Sequence, residues 1–343
     1  MKKLIQKGKG ALRKRVNKYK TKVNILPKPV FISIAPSNRC NLTCKMCEIW
    51  KIKFRDKRPE LTNKEMKKTI LDLKKWLGTF DLNLAGGEPF MRPDMIDIMK
   101  YAAELGLNVY TTSNGVMFNK KKCDELVEAG VRGISISLDS LDPEIHNHIR
   151  NTKTGFNKTM ENIKYLNKIR DNKMDLNLAT VFMGYNLESI LPLVDFVEKN
   201  KLTGINFQPL IHNFGTEYTP QWFKKSEFWP KPEQLDRIDE VLDELIKRKK
   251  AGAPLHNPIK QFEVMKKYFR NPLAHAKKVC NVGTKNFAIS EYGEVLICYF
   301  FKPIGNIKDT KPEVLWKSKA AQDMRKRIKV CKRNCDLLNC NFD

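Results

Sequence analysis

The chain has 343 residues, 41% hydrophobic and 9% aromatic, which is enough to bury a sizeable core and too apolar for a disordered polymer. Sixty-four Lys and Arg against 38 Asp and Glu leave a net charge of +26, a bias towards anionic partners that carries no information about fold. No run of about 18 apolar residues occurs, which excludes a spanning helix, and nine cysteines, an odd number at metal-like spacings, argue for a reducing compartment and against a disulfide framework.

In chain order, residues 1–27 form a basic leader, and residues 1–47 together hold thirteen Lys or Arg and no acid before Glu48. Leu4, Ile5, Leu12, Val16, Tyr19 and Val23 recur among the cations at roughly helical spacing. This basic amphipathic pattern suits a solvated helix, an anionic membrane surface or nucleic-acid phosphate, the last being the weakest of the three readings. It lacks a continuous apolar stretch and a small-residue cleavage site, so it is not read as a secretory signal. The expected location is cytoplasmic, with peripheral contact at the inner membrane surface as an option.

An apolar strand, Val30 to Ala35, then runs into a polar loop in which Cys40, Cys44 and Cys47 are spaced C-x3-C-x2-C. Soft thiolates select zinc or an iron–sulfur cluster over hard cations. A structural zinc site takes four protein ligands, and the next cysteine, Cys123, is far along the chain on an ordinary helix. A four-iron cube held by three cysteines keeps one iron open for chemistry. On these residues the chain resembles the radical S-adenosylmethionine (SAM) superfamily. The resemblance implies a [4Fe–4S] cluster at Cys40, Cys44 and Cys47, SAM on the open iron, reductive cleavage to a 5′-deoxyadenosyl radical, and an electron donor such as flavodoxin or ferredoxin. The family commonly has an aromatic residue before the third cysteine, where this chain has Met46, whose thioether can pack on a purine face.

A capping box at Thr62 and Glu65 opens a helix that runs to Gly78, and a strand from Phe80 to Leu84 ends in Ala85-Gly86-Gly87-Glu88-Pro89. Paired glycines let the backbone approach a ligand closely, and the carboxylate accepts from an ammonium. By resemblance Gly86, Gly87 and Glu88 hold the SAM amino group. Four more strands follow, Leu107 to Thr112, Gly133 to Leu138, Asp175 to Met183 and Gly204 to Gln208. Helices Asp94 to Leu105, Lys120 to Ala129, Asn157 to Ile169 and Leu187 to Glu198 alternate with them. Such β/α alternation signals a parallel sheet with ligands at the carboxyl ends of its strands. The resemblance assigns Ser113, Asn114, Ser137 and Asp139, at those ends, to the methionine and ribose parts of SAM. The expected fold is α/β, a partial (β/α)6 TIM-like barrel over residues 28–210, followed by a small α+β cysteine-rich domain.

Residues 211–272 read as a connecting region, with the aromatics Phe214, Tyr218, Trp222, Phe223, Phe228 and Trp229 and a charged helix from Pro232 to Lys250. Residues 273–343 carry the other five cysteines, Cys280, Cys298, Cys331, Cys335 and Cys340, with a hairpin (Asn286 to Ser290, Glu294 to Tyr299) and a helix from Pro312 to Ile328. Spacing alone leaves zinc or a further cluster open. The segment is similar to the SPASM/Twitch extension of radical SAM enzymes, which implies one auxiliary [4Fe–4S] cluster on four of the five, with Cys340 the alternate.

The resulting expectation is a radical SAM oxidoreductase acting oxidatively on a peptide side chain or a small metabolite; no general base is legible. The alternatives are a membrane-associated or RNA-directed radical SAM transferase, and a non-catalytic zinc-bearing nucleic-acid-binding protein. Against the last, the RNA-stacking signature Lys/Arg-Gly-Phe/Tyr is absent.

Overall fold

The computed structural model of the chain describes residues 26–51, 56–171, 173–212, 219–274 and 280–331. The leader up to residue 25 lies outside the described residues, as do Phe214, Tyr218, Cys335 and Cys340. Six strands alternate with helices: β1 Phe31–Ile34, α1 Asn63–Leu77, β2 Asp81–Leu84, α2 Met95–Glu104, β3 Asn108–Ser113, α3 Lys120–Glu128, β4 Gly133–Ser137, α4 Pro143–Arg150, α5 Gly155–Ile169, β5 Asp175–Phe182, α6 Ile190–Lys199 and β6 Gly204–Pro209. After them come α7 Leu235–Lys250, α8 Ile259–Arg270, the short α9 Val282–Lys285, β7 Asn286–Ile289, β8 Val295–Leu296, α10 Pro312–Lys317 and α11 Lys319–Lys329. None of the described helices is long and apolar enough to cross a membrane.

The sheet order is β6-β5-β4-β3-β2-β1-β7-β8, and every pair is parallel except β7 with β8. Since β6 never returns to β1, the sheet is open. Side chains alternate along each strand. Ile32, Ile34, Leu82, Leu84, Ile134, Ile136, Leu176, Leu178, Ile205 and Phe207 are fully buried. The intervening positions carry Ser33, Asn83, Ser137, Asn206 and Gln208, so the opposite face is polar near the carboxyl ends.

The capping box forms as expected: Glu65 N donates to Thr62 Oγ1 at 3.3 Å and Thr62 N to Glu65 Oε2 at 2.8 Å. Other elements differ. The single helix expected over Pro312 to Ile328 is two, because Ser318 is extended (ψ 161°) and its hydroxyl caps α11 at Ala321 N. The second hairpin strand shortens to two residues, since beyond Leu296 the chain turns back and Ile304 N bonds Val295 O at 2.8 Å. Helices α4, α8 and α9 were not expected from the sequence.

The cysteine-rich region continues the main sheet. β7 runs parallel to β1 from Phe31↔Asn286 to Ile34↔Ile289. At the other edge the Asn257 side chain acts as a short strand, accepting from Phe207 N and donating to Phe207 O, both at 2.7 Å. Trp76 of α1, Phe287 of β7 and Trp316 of α10 form a buried aromatic triangle with centroid separations of 5.6, 6.5 and 6.0 Å, and Trp316 Nε1 donates to Pro27 O at 3.0 Å. Because this triangle fastens the carboxyl-terminal region to the barrel, Trp316→Ala is expected to cost about 3–5 kcal/mol, measured as a lower urea midpoint and early loss of the near-UV signal of the cluster of rings.

Candidate functional site

At the carboxyl ends of the strands lies a cavity of about 340 Å³. Cys40, Cys44 and Cys47 line it together with Met46, Gly86, Gly87, Glu88, Ser113, Asn114 and Ser137, so the loop and the strand ends meet as the sequence anticipates. Asp139 does not line it. That carboxylate is fully buried, receiving Arg150 Nε at 2.6 Å and Val181 N at 3.1 Å, which removes it from the surface where a ribose would sit.

The glycine pair serves backbone contact. Gly87 N donates to Ser37 O at 3.0 Å and Glu88 N to Arg39 O at 2.7 Å, locking the end of β2 against the residues that lead into Cys40. A Cβ on Gly87 would lie 2.2 Å from Arg39 O, and one on Gly86 2.9 Å from Ser37 O. Glu88 is 1% exposed and receives Ser113 Oγ at 2.8 Å, Phe90 N at 3.2 Å and Asn114 N at 2.8 Å. Burial pushes its carboxyl above the usual range, against the pull of those donors. Asn114 Nδ2 then reaches Asn41 Oδ1 at 2.8 Å, tying β3 to the cysteine loop. From the carboxyl-terminal hairpin, Tyr292 OH accepts from Asn38 Nδ2 at 2.5 Å and Glu291 O from Leu61 N at 2.7 Å.

Arg150 and Trp50 are among the lining residues that escaped the sequence reading. Arg150, at the end of α4, sits between Asp139 and Cys44 as a buried cation beside the thiols. Its helix had a legible start, Asp142-Pro143, with proline in the first turn and the Asp142 carboxylate receiving Glu144 N at 2.8 Å. Trp50 presents a buried indole N–H with no partner among the described residues. Beyond it Met46 packs against a small apolar group of Ile149, Met183, Leu210 and Phe228.

The thiol set fits an iron–sulfur cluster. The three cysteines are free, face one cavity, and are raised by burial, Cys44 to about 11 against the pull of Arg150. Ligation therefore displaces protons, and the Arg150 cation offsets the charge that thiolates bring. Among the described residues no three His, Cys, Asp or Glu close on a point sized for one ion. In the carboxyl-terminal region Cys280 and Cys298 are half-buried against the main core, and Cys331 follows α11. Cys123 is fully buried on α3, as an ordinary helical residue.

A helix-flanked open β/α barrel with a three-thiol loop over its strand ends defines an iron–sulfur enzyme of the SAM-dependent class. The chain belongs to the radical SAM superfamily: that family model matches residues 34–197, and the SPASM iron–sulfur cluster-binding domain matches residues 280–341. It is 22% identical to the PqqA peptide cyclase of Bradyrhizobium diazoefficiens over 79% of this chain and 67% of that protein. It is 30% identical to an AdoMet-dependent heme synthase of Oleidesulfovibrio alaskensis over 47% of this chain, spanning 41% of that protein's length. The fold, a TIM-like partial barrel, matches Streptococcus suis SuiB bound to S-adenosylmethionine with a TM-score of 0.66 at 19% identity, covering 91% of this chain and 71% of that one. SuiB has also been solved bound to precursor peptide SuiA. The family's cofactors are thereby [4Fe–4S] clusters and SAM.

Two outcomes test the site's construction. Gly87→Ala drives a methyl into the Arg39 carbonyl and is expected to cost about 1–3 kcal/mol and to lower the iron bound per chain after anaerobic reconstitution. His146, 2% exposed beneath the site, accepts from Asp139 N at 3.3 Å and is pulled by burial from 6.5 to about 4. The unfolded chain therefore binds the extra proton, and stability falls as pH drops from 6.5 through 4, by up to about 3 kcal/mol. His146→Gln should flatten that acid limb, read as a smaller difference between urea midpoints at neutral and mildly acidic pH.

Proposed function

We propose that the protein oxidatively modifies a peptide side chain or a small metabolite by radical SAM chemistry. The observation that carries this reading is the single cavity shared by Cys40, Cys44 and Cys47 and by the strand-end residues Gly86 to Glu88, Ser113, Asn114 and Ser137. Cys40, Cys44 and Cys47 would hold the catalytic cluster. When bound, cluster and SAM together supply the reductive cleavage whose radical product abstracts hydrogen.

The chain's own residues bind and orient. Two carboxylate oxygens offer about four acceptor directions. Glu88 uses three of them on Ser113, Phe90 and Asn114, leaving one for the SAM ammonium. Met46, backed by Phe228 and Ile149, offers an apolar face for adenine. Ser137, at the end of β4, offers a hydroxyl for the ribose. Trp50 Nε1 has no acceptor among the described residues, and a substrate carbonyl or hydroxyl would satisfy it. Val181, Leu210 and Ile211 complete an apolar wall that keeps water from a reactive intermediate.

In the carboxyl-terminal region, Cys280, Cys298, Cys331 and Cys335 would hold an auxiliary cluster able to take the second electron of a two-electron oxidation. A small electron-donor protein such as a flavodoxin or ferredoxin would reduce the catalytic cluster. The relatives support peptide as the substrate class through their names, which include a peptide cyclase and a protein solved with a precursor peptide.

Anaerobically reconstituted protein given SAM and a strong reductant is expected to release 5′-deoxyadenosine and to carry about eight irons per chain. Cys40→Ala should abolish release while keeping the carboxyl-terminal share of the iron. A chain that binds no iron, or that leaves SAM intact, overturns the reading.

A further inference from the structure

The turn between β7 and β8 is rigid. Ser290 Oγ accepts from Tyr292 N at 3.3 Å and from Glu294 N at 3.1 Å, Gly293 N donates to Ser290 O at 2.9 Å, and Asn306 Nδ2 donates to Tyr292 O at 3.1 Å. Only glycine suits position 293, where φ is +87° and a Cβ would stand 2.7 Å from Asn306 Oδ1. From this turn the Tyr292 side chain is directed inward and buried. Arg58 lies across its ring, 4.3 Å from the centre, and is itself held by Asp56 at 2.7 Å and by Glu294 of the same hairpin at 2.8 Å.

The hydroxyl of that ring meets the segment leading into the cysteine loop. Asn38, two residues before Cys40, is buried and donates Nδ2 to Tyr292 OH at 2.5 Å. The main chain around it is held by other elements. Glu60 Oε1 receives Ser37 Oγ at 2.7 Å and Asn38 N at 3.1 Å, and Arg92 Nη1 donates to Pro36 O at 3.1 Å. The hairpin also fixes the neighbour of Glu60, since Leu61 N donates to Glu291 O at 2.7 Å. A buried amide without an acceptor is costly, so the Tyr292 hydroxyl sets how Asn38, and the chain through it, enters the loop. Tyr292 lies 254 positions downstream of Asn38, inside the region matched by the SPASM model.

We propose that Tyr292 is a positioning residue for the catalytic thiols: its hydroxyl, through Asn38, holds Cys40 in ligating position, whether or not the carboxyl-terminal region carries metal. The inference rests on the reading of Cys40 as a ligand of the catalytic cluster. The carboxyl-terminal region then acts on the catalytic site in two separable ways, through any metal it holds and through one hydrogen bond.

The test uses the full-length chain and Tyr292→Phe, which keeps the ring under Arg58 and removes the hydroxyl alone. In the metal-free chain, alkylation of Cys40 by iodoacetamide, resolved by peptide mass spectrometry with Cys123 as internal reference, is expected to accelerate about fivefold, the weight of one buried hydrogen bond. After anaerobic reconstitution, release of 5′-deoxyadenosine per bound iron is expected to fall about tenfold. Asn38→Ala should match both changes, and the double variant should be no worse than either single one, as befits two ends of one contact. Trp316→Ala, which loosens the same region at the aromatic triangle, should lower the urea midpoint further than Tyr292→Phe yet leave both readouts near the parent. Either readout unchanged in Tyr292→Phe overturns the proposal, as do single losses that multiply in the double variant. Trp316→Ala moving both readouts as far also overturns it, because general attachment of the region and not the hydroxyl would then be responsible. If the unsubstituted chain leaves SAM intact, the radical SAM reading fails, while alkylation of the metal-free chain still decides whether Tyr292 places Cys40.

Discussion

The two hydrogen bonds from Gly87 and Glu88 to the carbonyls of Ser37 and Arg39 set the position of the first cysteine, and the rest of the site is assembled around them. They join the loops after β1 and β2, adjacent parallel strands, so the register of the sheet is transmitted directly to the thiols. A polar loop carrying three ligands has little apolar content with which to fold on itself. Its shape is imposed from outside by main-chain contact with one neighbour, the Glu88 and Asn114 network with the next, and Tyr292 from the hairpin. Preorganisation of this kind is what a ligand set needs, because a site 1 Å too loose loses both affinity and direction.

Glu88 joins the two halves of that network. Its carboxylate gathers donors from the end of β3 while its own amide fixes the cysteine loop, so one residue couples the ligand loop to the wall opposite. Arg150 does the equivalent from the other side, anchored by Asp139 and facing Cys44. The site thus carries a buried carboxyl group and a buried guanidinium on either side of three thiols, the first held by three donors and the second by Asp139.

Much of this was legible in the sequence, and the rest was hidden for identifiable reasons. The β/α alternation was readable because each strand carries its aliphatic residues on one face and turn chemistry at its end. The cysteine loop and Gly86 to Glu88 were readable as motifs. The role of the glycines was less so: their small size answers to the carbonyls of Ser37 and Arg39, which are nearly fifty residues upstream. Asp139 resembled a strand-end ligand, and only its partner Arg150, on a short helix with few apolar positions, reveals it as a buried anchor. The break at Ser318 was invisible because the apolar spacing continues across it; an extended backbone at one residue separates two helices that a periodicity cannot distinguish from one.

The pairing of β7 with β1 has a further consequence for the architecture. An open parallel sheet has two raw borders, each a template for adhesion to another molecule. Here one is sealed by Asn257 imitating a strand and the other by the cysteine-rich segment itself. That segment is therefore a structural selvedge as well as a carrier of sulfur ligands, and a polypeptide ending before residue 280 would leave β1 bare. The segment matched by the cluster-binding family model and the cover for the edge of β1 are inherited together.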